Sequence, residues 1–155
     1  MPEEKSNQKI EVQLVVFSIG TEEYGIEVNQ VQEIIRLLPI TRVPRSPDFI
    51  EGVINLRGNV IPVVNMHHRL GLEKRNDTEK TRIIVVDVQR NSVGLIVDQV
   101  LEVLYLSHSA FEPPTVAGNL TNVAFIKGIG KLDGRLILLL DLESLLDLKR
   151  PEAVS

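Results

Sequence analysis

The chain has no cysteine and no tryptophan, and its aromatic content is only 4%. Without cysteine there is no disulfide, no thiolate nucleophile and no cysteine-ligated zinc site, which agrees with a reducing compartment. Few aromatic rings leave few platforms for stacking bases. Lysine and arginine are scattered through a chain of net charge −4, so no basic face is set out for phosphates. No apolar run approaches the ~20 residues of a membrane span. The first ten residues, MPEEKSNQKI, are polar and carry both charge signs, unlike a secretory signal. These absences predict a cytoplasmic protein with no direct membrane insertion and no nucleic-acid partner. The sequons at Asn76 and Asn119 then carry no meaning.

What is there is 43% apolar residues in a chain of 155. A chain of that length can bury roughly 70% of its unfolded surface, enough for one core or two small ones sharing an interface. The sequence also repeats itself. VQLVVFSIGTEEYGIEVNQVQEI (12–34) aligns without gaps on TRIIVVDVQRNSVGLIVDQVLEV (81–103), matching Gly25 with Gly94, Val31 with Val100 and Glu33 with Glu102 at a spacing of 69. FIEGVINLRGNVIPVV (49–64) aligns on FIKGIGKLDGRLILLL (125–140) at a spacing of 76, matching Gly52 with Gly128 and Gly58 with Gly134. The extra residues fall in 107–124, a stretch rich in Pro, Ser, Thr, Asn and Gly that reads as a long surface loop. EKRNDTEK (73–80) is the polar linker between copies.

Within each copy, LVVFSI and RIIVVDV read as strands, being short, rich in Val and Ile, and closed by turn residues. The segment GIEVNQVQEIIRLL would also make a helical stripe. Its duplicate, EVLYLS, alternates like a strand, which favours one helical turn followed by a strand. Each repeated phrase places a Gly-containing turn between apolar runs, as in a hairpin, and Asp133-Gly134 is the stronger turn signal. Pro62 lacks an amide donor, which predicts an edge strand or a bulge. DLESLLDLKR offers Asp141 as an N-cap, leucines at 142, 145, 146 and 148, and basic Lys149 and Arg150, the pattern of a short helix. The expected fold is mainly β, two tandem five-stranded barrels packed together with a short C-terminal helix. The expected divisions are a tail at 1–11, barrels at 12–78 and 79–149 with strand exchange left open, and a tail at 150–155. The junction is a natural place for a groove.

No reaction is written in the residues. His67 and His68 are neighbours that point different ways, which disfavours a shared metal, and His108 lies alone in the polar loop. Ser46, Ser92 and Ser107 lack the strand-to-helix elbow of a hydrolase. GIGKLDG lacks the spacing of a phosphate loop. Asp87 and Asp98 match Ser18 and Asn29 in the other copy, so turn and cap roles explain them. No cofactor, metal or catalytic residue is expected. What remains is charge where the copies diverge. Arg57 sits at a hairpin turn where the duplicate has Asp133, and reads either as a solvated turn residue or as a bidentate grip on a partner. Glu33 emerges from an apolar segment, which the polar outer face of a half-buried strand explains more readily than a contact does.

The strings EEYGIEVNQVQEI, ITRVPRSPDFIEGVINLRGNVIPVV, VGLIVDQVLEVL and FIKGIGKLDGRLILLLDLESLL resemble, in order from Val12 to Leu148, the CheW family of bacterial chemotaxis coupling proteins. NLRG followed by VIPVV is its most specific motif. The resemblance implies two SH3-like barrels and an adaptor without catalytic activity. It implies as partners the cytoplasmic tips of chemoreceptors and the regulatory domain of the histidine kinase CheA, in signalling arrays below the inner membrane. It makes Arg57 and Glu33 the candidates for receptor contact, with Val31 and Ile34 as nearby apolar wall. The Val100 to Leu104 segment, through Val100 and Val103, would border the groove from the second barrel. The kinase-facing surface is implied only as exposed barrel edges and hairpin tips. Two rivals are a small β-barrel enzyme, which a catalytic constellation between the barrels would favour, and an oligonucleotide-binding barrel, which lacks the aromatic-basic strand face it would need.

Overall fold

The computed structural model describes residues 11–114 and 123–146. Apart from Glu11, which opens the first strand instead of ending the tail, the expected tails lie outside them, as do Leu148, Lys149 and Arg150. Eleven strands run in chain order: β1 (Glu11–Ile19), β2 (Glu22–Glu27), β3 (Val31–Arg36), β4 (Ile50–Leu56), β5 (Asn59–Asn65), β6 (Arg82–Val88), β7 (Asn91–Val97), β8 (Gln99–Ser107), β9 (Phe111–Glu112), β10 (Ile126–Leu132) and β11 (Arg135–Leu140). The ambiguous segment is a single 3-10 turn, Val28–Gln30, followed by β3. The loop at 107–124 is less plain than expected, since it holds a 3-10 turn at His108–Ala110 and the short strand β9, which pairs with β10.

The strands form two sheets, β8-β1-β2-β11-β10-β9 and β3-β6-β7-β5-β4. Sheet membership does not follow the division at residue 78. β1 and β2 of the first copy join strands of the second, and β6 and β7 of the second join β3 to β5 of the first. The exchange that the sequence left open is therefore how the sheets are assembled. It is sealed by two equivalent parallel pairings, β2 with β11 around Gly25 and β5 with β7 around Gly94. Here "barrel A" denotes the sheet containing β1 and "barrel B" the sheet containing β3. Pro62 does not mark an edge, because β5 lies between β4 and β7. It sits just ahead of Val63, where the parallel pairing with β7 begins, so no ladder bond on that side calls on its missing amide.

β1 shows how alternation builds two cores at once. Leu14 and Val16 point into barrel A with Leu106, Ile137 and Leu139, while Val15, Phe17 and Ile19 point the other way into a core shared by both barrels. β6 repeats the arrangement, with Ile83 and Val85 inside barrel B and Ile84, Val86 and Val88 in the shared core. Among the described residues the shared core holds twenty buried side chains, against six in barrel B and five in barrel A. Most of the apolar burial therefore lies between the barrels, and neither would keep its stability alone.

The β4–β5 and β10–β11 hairpins each run into a one-turn helix, α1 (Met66–Arg69) after β5 and α2 (Leu142–Leu145) after β11. Asn65 caps the first by accepting from the His68 amide, and Asp141 caps the second by accepting from the Ser144 amide. The guanidinium of Arg69 lies 4.0 Å from the Phe49 ring centre and 4.6 Å from that of Phe125, and its Nε donates to the Leu145 carbonyl at 2.7 Å. Phe49 and Phe125 open the two copies of the repeated phrase, so one cation ties both repeats and α2 together.

Candidate functional site

The β4–β5 and β10–β11 hairpins have the same two-residue turn. Leu56 pairs with Asn59 across Arg57-Gly58, and Leu132 pairs with Arg135 across Asp133-Gly134. Both central residues have positive φ in each turn, 52° and 86° in the first and 50° and 81° in the second. This is the primed turn that matches strand twist, and it favours Asn or Asp followed by Gly. Asp133 fits that preference. Arg57 does not, so an arginine is held in a left-handed conformation that costs most side chains on the order of 1 kcal/mol. The Asn55 side chain supports the turn by accepting from the Gly58 amide at 2.9 Å.

Arg57 pairs across the barrel with Glu33 of β3. The arginine side chain is 66% exposed and the glutamate 31%. The pair lines an open groove of about 930 Å³ on barrel B, together with apolar Phe49, Ile50, Ile61 and Leu146. Rigidity is supplied from behind by the hairpin and by the β3–β6 pairing, which carries a bulge between Val31 and Glu33. The arrangement offers the Arg57 guanidinium with donors to spare, a second arginine in Arg90, one carboxylate and an apolar floor. That chemistry suits recognition of a protein segment.

The other expected residues fall into equivalent pairs at the edges of the two sheets. Val31 and Val100 are half-buried against the shared core. Ile34 of β3 and Val103 of β8 are 40% and 50% exposed, on strand faces opposite to those of Glu33 and Glu102. Glu33 and Arg57 thus come together, whereas Val31, Ile34, Val100 and Val103 do not line their groove. β3 and β8 are both edge strands of their sheets. On β8, Leu101, Val103 and Tyr105 make a row of exposed apolar side chains.

One partnership is hidden from the alignment. Glu102, the counterpart of Glu33, is also held by a hairpin arginine, Arg135, whose Nη2 lies 2.7 Å from both Glu102 and Glu23. The two carboxylates raise the pKa of Arg135 by hydrogen bonding. Arg135 lies two positions beyond Asp133, so residue-by-residue matching pairs it with Asn59 and misses it.

His67 serves the framework. His67 lies 2.8 Å from Asp98, which also accepts from the Gly20 amide, and 2.9 Å from the Glu73 carbonyl. Arg75 of the linker is clipped to Glu51 and Asp77; burial works against its charge, but those hydrogen bonds outweigh it and raise its pKa. Among the described residues no group of three or more His, Asp or Glu is arranged to hold a metal. No helix among them is long and apolar enough to cross a membrane.

This fold defines the chain as a tandem SH3-like β-barrel protein with exchanged strands, bearing an arginine-tipped hairpin and exposed sheet edges. The chain belongs to the CheW family: the CheW-like domain matches residues 13–150. It is 37% identical over 150 residues to the probable chemotaxis protein CheW of Rhizobium etli, covering 96% of each chain. It is 36% identical to the chemotaxis protein CheW of Bacillus subtilis, covering 86% of each. Chemotaxis protein CheV3 of Helicobacter pylori is 32% identical over 88% of this chain but only 48% of its own length. The crystal structure of the scaffolding protein TtCheW from Thermoanaerobacter tengcongensis superposes with a TM-score of 0.83 at 38% identity, covering 92% of this chain and 97% of that one. By family and fold the chain is a chemotaxis scaffold protein.

Proposed function

We propose that this chain is a non-catalytic adaptor that couples the cytoplasmic tips of chemoreceptors to the regulatory domain of the histidine kinase CheA. It would act in the cytoplasm, recruited through receptors to the inner face of the membrane. In this reading Glu33 and Arg57 contact the receptor at the groove, Val31 and Ile34 extend the contact beyond it as apolar wall on barrel B, and Val100 and Val103 border the site from barrel A. The observation that carries it is Arg57: a strained arginine at a rigid hairpin tip, two-thirds exposed and paired to a single carboxylate. Left-handed backbone alone does not single it out, since Arg45 and Arg90 share it; the exposed guanidinium paired with Glu33 over an apolar groove does.

The adaptor acts by state-dependent affinity. A scaffold that binds one kinase state more tightly shifts the kinase toward it, and a scaffold indifferent to the states shifts nothing. Tethering several weak contacts in one assembly raises their effective concentration. The test is co-sedimentation with a receptor cytoplasmic fragment and the kinase, read out by kinase activity. Glu33→Lys and Arg57→Glu are expected to fold as the parent does and to lose receptor-dependent activation by about tenfold or more, the loss typical of a recognition residue. If both variants sediment and activate as the parent does, the site assignment is wrong.

A further inference from the structure

The outer rows of the two edge strands differ at one equivalent cross-strand pair. In barrel A, Tyr105 of β8 stands opposite Gln13 of β1, and Gln13 Nε2 donates to the tyrosine hydroxyl at 2.7 Å. The equivalent pair in barrel B is Arg36 of β3 opposite Arg82 of β6. Directly opposed residues in an antiparallel ladder hold their Cβ atoms about 5 Å apart, where like charges destabilise the pairing. Neither arginine has a carboxylate within ion-pair distance among the described residues. Arg82 donates through Nη1 to the carbonyls of Glu79 and Thr81, at 2.8 and 2.9 Å. Among the described residues no hydrogen bond engages its Nε or Nη2, or the guanidinium of exposed Arg36.

We propose that Arg36 and Arg82 form a carboxylate clamp for an acidic side chain of the segment that docks along β3, an inference that rests on the adaptor reading above. Arginines on directly opposed residues, with no carboxylate beside either among the described residues, are complementary to a carboxylate, each able to supply paired donors. Exposed Ile34 lies two residues away on the same strand face. Two residues of strand span about 7 Å. Four residues of helix rise about 6 Å. The surface therefore fits a partner helix carrying an aliphatic residue over Ile34 and a Glu or Asp one turn away over the arginine pair. The chain's net charge of −4 and the apolar neighbour favour a carboxylate over a phosphate polymer.

The experiment uses the full chain, its Arg36→Glu variant and the double variant Arg36→Tyr/Arg82→Gln, which copies the pair found in barrel A. Each is melted alone and titrated with a chemoreceptor cytoplasmic fragment at about 100 mM and about 500 mM NaCl, the higher salt screening exposed charges. Both variants are expected to melt at or above the parent temperature. At the lower salt Arg36→Glu is expected to bind about tenfold more weakly or worse, with the gap to parent narrowing at the higher. Equal binding by parent and variants would overturn the clamp while leaving the adaptor reading in place. Failure of the parent itself to bind would overturn the adaptor reading and the clamp with it. A lower melting temperature for Arg36→Glu would remove the premise of opposed charges. Binding of a single-stranded oligonucleotide by the parent, lost in Arg36→Glu, would reassign the pair to phosphate and also overturn the proposal.

Discussion

Glu33 in barrel B and Glu102 in barrel A occupy equivalent strand positions, and each is held by an arginine from the hairpin facing it. In barrel A that arginine is Arg135, on the strand just past the turn, divided between Glu23 and Glu102 and only 33% exposed. In barrel B it is Arg57, in the turn itself, held by Glu33 alone and 66% exposed. Ser92 stands where Glu23 would supply the second carboxylate, and it donates to Gln32 instead. The duplicated framework thus kept an ion pair in both copies but moved its arginine. Barrel A uses the pair to close its own surface, while barrel B leaves charge presented outward. The same contrast recurs three residues further along the same two strands, between the satisfied Gln13–Tyr105 pair and the opposed Arg36–Arg82 pair.

The comparison breaks most sharply at a pair of equivalent glycines. A Cβ on Gly52 would stand 2.2 Å from the Thr41 carbonyl oxygen, whereas at Gly128 no atom comes nearer than 3.7 Å. Thr41 cannot easily retreat, because its amide and carbonyl bond both ways to Val53, at 2.9 and 2.8 Å. Gly52→Ala should therefore cost about 3 kcal/mol or more in urea unfolding, and Gly128→Ala less than about 1 kcal/mol. Similar losses at both positions would mean that the bridge yields and that the two copies are alike there.

A smaller effect separates the copies by pH. Tyr24 of barrel A occupies the place of Val93 in barrel B, and its ring is buried against Phe17 with centroids 6.2 Å apart. Burial, helped by Glu22, pushes its pKa from 10.0 up to about 12. A folded state that keeps a proton the unfolded state has released loses stability as pH rises. The contribution is whole below pH 10 and is lost as pH climbs to about 12. Two pKa units correspond to roughly 2 to 3 kcal/mol. Chemical unfolding at stepped alkaline pH should show this loss in the parent and a smaller one in Tyr24→Phe. Parallel curves for the two proteins would remove the buried phenol as the cause.

Much of the fold was legible because the repeat states it twice. The hairpins, the single helical turn before β3 and the Asp141 cap all follow from turn chemistry and period. The first helix was equally signalled by Asn65, but MHHR carries no leucine stripe to mark it. Which copy each strand pairs with was not legible, because alternation tells a strand which face is apolar and not which neighbour will cover it. The parallel contacts around Gly25 and Gly94 decide that, and they join residues far apart in the chain. Glu33 and Arg57 were legible as charges at unusual places, and their pairing was not. Arg135 and Arg69 escaped notice for opposite reasons, the first because its role slid two positions along the hairpin, the second because its Leu145 counterpart holds its place in the helix without charge.

The finest contrast lies in the turn residue itself. Arg57→Asn replaces a poor left-handed residue by a favoured one, a gain of about 1 kcal/mol at most. It also removes the pair with Glu33, which at this exposure contributes about 0.5 kcal/mol or less after solvent screening. The net expectation is a stability equal to the parent or a few tenths of a kcal/mol above it. Asp133→Asn, between two residues that both suit the turn, should change stability by less than about 0.5 kcal/mol. Equilibrium denaturation of both variants resolves the sign, and receptor-dependent kinase activation gives it meaning. If Arg57→Asn is at least as stable as the parent but loses activation, while Asp133→Asn loses neither, then the arginine is kept at the tip against the preference of its own turn. If instead Arg57→Asn unfolds more easily, the arginine earns its position within the barrel, and its difference from Arg135 is one of placement alone.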